Sequence, residues 1–298
     1  SDSVIVYAGK TVEINGTVAI NDYLSISGSC TGLSTLRANS GTGILSSSSA
    51  NIAVNYANIE NITATGGASF VANNSYDLGG NSGWTINSTS AKDYYWVGDG
   101  GSWNDGAHWA LTSGGPGSGC APTFQDDVYF DANSFSSTGQ TVSISSVVAD
   151  CKRMDWSGVT NSPEFDIDNE LNVYGSLTFS SNMTVTSNSS YELRFKSTQT
   201  GNTITFAGNE WKGNISFEGV NGEWTLQDSL SLNNTYKSIL VDEGTLNTSG
   251  NSISTGFFQV RNSATVNMSN TKLYCSYKVR IESLNYNTEN LMLDREFY

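Results

Sequence analysis

The 298-residue chain has little of what catalytic, nucleic-acid-binding and membrane-spanning proteins usually require. It carries one histidine, three prolines and four cysteines. Only 14% of its residues are charged, and 28 acidic residues outnumber 14 basic ones for a net charge of −14. No run of Lys or Arg occurs, so the clustered cations that neutralise phosphates are missing. Nucleic acid and anionic membrane surfaces are therefore excluded as partners. No apolar run approaches the length of about 18 residues that a spanning helix needs, so no membrane insertion is predicted. One histidine and no Cys-x-x-Cys leave no zinc spacing. Sustained i, i+3, i+4, i+7 apolar spacing is also missing. The best helical candidate is the C-terminal NTENLMLDREFY, and the class expected is all-β.

What is present is self-similarity. Near the N-terminus the chain reads KTVEINGTVAINDYLSISGSC, and beyond residue 170 it reads ELNVYGSLTFSSNMTVTS. Apolar pairs recur every six residues: Val12/Ile14, Val18/Ile20 and Leu24/Ile26, then Leu171/Val173, Leu177/Phe179 and Met183/Val185. Spacing of two within a pair places both side chains on one side of a strand. Asn, Gly, Ser and Asp between the pairs turn the chain. Short strands repeated in this way stack into a solenoid. The segments Ser238–Val241 and Phe257–Val260 lie about twenty residues apart, near one turn of a three-sided β-helix. A right-handed parallel β-helix is thus expected, with β-sandwich repeats as the alternative, since sandwiches also space short strands closely.

The expected organisation is a C-terminal part of one solenoid module over 1–91, a Trp/Gly-rich module-start or cap segment over 92–139, and the rungs of the next module over 140–298. The polar stretch NSTSAKD serves as the linker. The chain starts in mid-pattern at SDSVIVYAGK and is read as a piece of a longer protein. In the middle segment Trp96, Trp103 and Trp109 sit among glycines, and Asp and backbone carbonyls are expected to accept from their indole N–H groups.

The segments WVGDGGSWNDGAHWALTSGGPGSGCAPTFQDDVYFDANSFSSTGQTVSI and ADCKRMDWSGVTNSPEF resemble the repeat units of the giant gliding-motility surface adhesins of Bacteroidota, the SprB-like filaments secreted by the type IX system. NYANIENITATGGASFVANNSYDLGGNSGWTI resembles the end of the same unit. The resemblance implies an extracellular repeat of a long cell-surface filament that supports gliding and attachment. Its partners would be neighbouring repeats of the same chain and a substratum or surface polysaccharide. It brings no catalytic residues. A polysaccharide-active β-helix enzyme and a carbohydrate-binding module are the competing readings.

Few residues offer chemistry. Asp99, Asp105, Asp126, Asp127 and Asp131 crowd the Gly-rich stretch and are the candidates for a structural calcium ion, although their spacing matches no calcium loop. No other cofactor is expected. Asp166, Asp168 and Glu170 alternate in FDIDNE. They are expected on one strand face, opposite an inward Phe165 and Ile167, either as a solvated ladder or as the acids of a glycan-cleaving enzyme. His108 lacks a nucleophile beside it and reads as a structural imidazole. Ser3 and Ser229 follow aspartates and precede aliphatic residues, a pattern resembling Bacteroidota O-glycosylation. Cys120 and Cys151 flank one strand region and are expected to form a disulfide worth roughly 3–4 kcal/mol by the chain-entropy argument. Cys30 and Cys275 are expected to find partners outside this sequence.

Overall fold

A computed structural model describes residues 3–145, 148–188, 190–232, 236–282, 286–287 and 292–294. The backbone divides into two units, Ser1–Ser90 and Ala91–Tyr298. Both are parallel β-solenoids, and the sandwich alternative falls away. Among the described residues every pairing between strands is parallel, apart from the short Asp93–Trp96 with Trp109–Ala110.

In the first unit the six-residue period marks faces rather than turns. Val12 lies in Thr11–Glu13 and Val18 in Thr17–Ala19, with Ile14 and Ile20 just beyond, while Leu24 and Ile26 lie in Tyr23–Ser27. These strands belong to three different sheets. A step to the next turn spans three pairs, so Ser3 is in register with Tyr23 and Tyr23 with Asn51. The second triplet behaves identically: Leu171–Val173, Leu177–Thr178 and Thr184–Ser187 occupy three separate sheets.

Corners can be one residue long. Tyr56, at φ 52°, separates Asn51–Asn55 from Ala57–Glu60, and Asn61, at φ 56°, separates the latter from Ile62–Thr65. Among the described residues, six of the eleven non-glycine residues with positive φ are asparagine, the side chain that best tolerates this left-handed backbone. Asparagine also bonds from turn to turn: Asn87 Nδ2 donates to Asn73 Oδ1 at 2.9 Å.

In the second unit the stretch over 92–139 is not a separate cap. Asp93–Trp96 and Asp127–Tyr129 are rungs of the ladder that continues through Arg153–Asp155, Leu177–Thr178 and Asn202–Thr205. The excursion between the first two holds Gly101–Ser102, a turn of 3-10 helix at Gly106–His108, and Trp109–Ala110. Ser238–Val241 pairs in parallel with the second half of Ile253–Val260, as the twenty-residue step predicts. The C-terminal helix candidate is corrected where it is described: Met292–Asp294 is a strand, and most of NTENLMLDREFY lies outside the described residues.

Inward columns fill this interior. Tyr94, Val128, Met154, Leu177, Ile204 and Leu226 follow one another in register, each at most 3% exposed. Phe130 stacks on Trp156 at 3.5 Å between centroids, and Phe195 on Phe217 at 5.0 Å. Burying one such side chain contributes about 1.5–3 kcal/mol, so the columns are the main stabilising feature. Bulky groups need relief at the corners. A Cβ at Gly219 would lie 1.8 Å from the Ser197 carbonyl oxygen, so only glycine lets those two turns approach.

The cysteine expectation is corrected. Cys30 and Cys120 are disulfide-bonded, while Cys151 and Cys275 are free and buried. Cys151 is an inward rung residue in register with Val173, and burial pushes its thiol far above the ordinary range. Cys275 donates to the Gly256 carbonyl at 3.2 Å. Both thiols act as small apolar fillers.

Candidate functional surface

The five candidate calcium ligands are each occupied differently. Asp99 accepts from Ser136 N at 2.6 Å and from Ser136 Oγ at 2.9 Å, and these bonds hold its carboxyl below the ordinary value. Asp105 caps the 3-10 turn through Ala107 N. Asp126, 4% exposed, accepts from Lys92 N, Thr123 N and Thr123 Oγ1. Asp131 closes a local turn by accepting from Asn133 N. Asp127 alone keeps a buried oxygen, Oδ1, without a partner, and burial raises its pKa. Among the described residues no three Asp, Glu, His or Cys side chains gather as a metal site.

His108 belongs to the aromatic packing. Its ring lies parallel to Trp96 at 4.8 Å, its Nδ1 is 2.9 Å from the Val97 carbonyl, and a Cβ at Gly101 would strike the imidazole. Backbone carbonyls take the indole protons: Trp96 Nε1 donates to Asp99 O and Trp109 Nε1 to Trp103 O, both at 2.6 Å. Aspartate side chains, also expected as acceptors, have other duties.

The acidic triplet of FDIDNE divides. Phe165 and Ile167 point inward as expected, but the strand Glu164–Ile167 ends before Asp168. Asp168 is exposed, and Glu170 has turned the corner to bind Arg194 at 2.9 Å. The carboxylates that do share the face are Glu164 and Asp166, both accepting from Thr186 Oγ1, at 2.9 and 3.2 Å. Burial raises the Asp166 pKa, with further upward pressure from Asp168 and Glu164 against the Thr186 bond. Sequence reasoning missed Glu164, although its alternation with Asp166 was the available signal. It also missed Arg194, which lies 2.9 Å from Glu192 and 3.7 Å from Glu218 as well as beside Glu170.

Ser229 is exposed, yet the aspartate before it is engaged: Phe206 N and Ala207 N both donate to the Asp228 carboxylate. Ser3 hydrogen-bonds Asp22 at 3.3 Å, and the aspartate preceding Ser3 lies outside the described residues.

Outside the interior, the solenoid presents columns of polar side chains. Asn267 Nδ2 donates to Asn247 Oδ1 at 2.6 Å, and Asn247 Nδ2 to Glu223 Oε1 at 2.7 Å, three successive turns joined by side chains. Aromatic rings also stack from turn to turn, Tyr95 on Tyr129 at 5.0 Å and Phe257 on Tyr277 at 5.2 Å. Such rings cover one another's faces. Comparison with known proteins finds no matching family profile, no matching curated protein and no matching solved structure.

Proposed function

We propose that this chain is a structural repeat of a long extracellular adhesin filament on a cell surface, serving attachment and gliding, and that it is not an enzyme. The observation that carries the reading is the use made of its charged and polar groups. Asp99, Asp105, Asp126, Asp131 and Asp228 hold corners, Arg194 ties carboxylates of three rungs, and the Asn columns join turns. A solenoid can lengthen by adding turns, each bonded only to its neighbours, which suits a repetitive surface filament. The resemblance of the Trp/Gly-rich segment to SprB-like, type IX secreted repeats supports the same reading.

Glu164 and Asp166 keep the enzyme reading alive as the runner-up, because two carboxylates on one face can divide acid and base roles. The test is incubation of the purified chain with a panel of plant and bacterial polysaccharides, together with attachment of chain-coated beads to glycan-coated surfaces. The expected outcome is attachment without release of reducing ends or unsaturated sugars. Turnover that is lost in Glu164→Gln or Asp166→Asn would replace this reading with the enzymatic one.

A further inference from the structure

Six of the seven tryptophans are at most 2% exposed: Trp96, Trp103, Trp109, Trp156, Trp211 and Trp224. Trp84 is the exception. It starts Trp84–Asn87, the final strand of its ladder in the first unit. One side of the ring is held by Phe70, edge to face at 5.1 Å, and the ring lines a surface pocket with Ile86, Asp77, Asn81 and Ser82.

The polar walls are built unequally. Asn81 is fully engaged: its Oδ1 accepts from Ile62 N at 2.9 Å, and its Nδ2 donates to Ile59 O and Asp77 Oδ1, each at 2.6 Å. Asp77 Oδ1 also accepts from Gly79 N at 2.8 Å. These bonds fix the exposed Asp77 carboxylate and leave its Oδ2 free. The Trp84 indole N–H is buried with no acceptor. Beside a partly exposed aromatic ring and an aliphatic side chain, the pocket thus offers one anchored acceptor, the free Asp77 Oδ2.

We infer that this pocket binds a neutral hexopyranose unit of a glycan. A pyranose has an apolar C–H face that suits the indole and Ile86, and equatorial hydroxyls that donate to the Asp77 carboxylate. Small-molecule sites combine an apolar floor with a few oriented polar groups in this way. A wholly apolar ligand would strand Asp77. An anionic sugar would meet that carboxylate on a chain of net charge −14. The inference deepens the adhesive reading by giving the surface a ligand class.

The test is titration of the chain with hexasaccharides of β-1,4-glucose, β-1,4-mannose and β-1,3-galactose, read by acrylamide quenching of tryptophan fluorescence. With six indoles buried, the quenchable signal reports Trp84. At least one hexasaccharide is expected to protect it at millimolar concentration or below, and hexagalacturonate is not. Asp77→Asn keeps Oδ1 as the acceptor for Gly79 N and Asn81, changes only the free oxygen, and is expected to weaken binding at least tenfold with unchanged thermal unfolding. Trp84→Phe is expected to retain a folded chain and lose the quenchable signal. No protection by any of the three sugars, or equal binding by Asp77→Asn, would overturn the site. Concentration-dependent protection without sugar would overturn it in favour of a second copy of the chain. Wild-type beads that still attach while Asp77→Asn binds sugar normally would remove this site and leave the adhesive reading intact, whereas failure of wild-type beads to attach at all would remove that reading.

Discussion

Single residues carry the corners. Replacing Asp126 by alanine takes its buried carboxylate from three partly buried donors, two backbone N–H groups and the Thr123 hydroxyl, and a donor left unpaired away from water costs about 1–3 kcal/mol. A loss of about 2–4 kcal/mol in urea unfolding is expected. Asp127 has the opposite sign. Its folded-state pKa is raised, so the folded chain binds the proton more tightly than the unfolded chain, and ionisation at neutral pH destabilises the fold. Asp127→Asn should therefore be more stable than wild type at pH 7. The advantage should shrink as pH falls through the raised value and vanish below the ordinary carboxyl value of 3.8. Urea midpoints at neutral and acid pH check this, and a constant difference would contradict it. Asp99 runs the other way: its lowered pKa stabilises the fold above the ordinary value, and that contribution is lost as acid protonates it. For the cysteines, Cys151 and Cys275 should resist alkylation in the native chain and react on unfolding, while Cys30 and Cys120 react only after reduction. Native alkylation of Cys151 would contradict its place in the interior.

At the scale of strands and corners, the limit is how closely one turn can approach the next. Gly219→Ala puts a methyl group onto the Ser197 carbonyl, and the backbone on both sides is paired, so neither turn can yield cheaply. The expected result is a loss of several kcal/mol in chemical unfolding, beyond the roughly 1 kcal/mol of ordinary glycine replacement. Asn61 gives a graded comparison: glycine should be tolerated at its φ of 56°, and valine should destabilise by about 1–3 kcal/mol. Much at this scale was legible beforehand. The apolar pairs marked strands because spacing of two keeps side chains on one side, and the Asn, Gly and Ser between them marked turns. Strand ends were not legible. FDIDNE alternates past Ile167, but alternation cannot tell where a strand bends, so Glu170 was put on the wrong face and Glu164 was overlooked. The disulfide was misread for a similar reason. Separation along the chain says nothing of direction, and Cys151 points inward as a rung residue.

Across the whole molecule, periodicity favoured the parallel solenoid, because apolar pairs every six residues and a step of about twenty suit stacked turns, and the parallel strand pairing removed the β-sandwich alternative. The candidate ligand pocket was not legible. Trp84 lies in a segment whose apolar pattern, GWTIN, reads like any other rung, and only the folded arrangement separates it from six buried tryptophans. The cellular role rests on the adhesin reading. The most direct measurement is labelling of intact producing cells with antibodies against this chain, alongside an attachment assay under flow. The account predicts labelled threads on unpermeabilised cells and reduced attachment when antibody is present. Labelling that appears only after permeabilisation, with attachment unchanged, would contradict it.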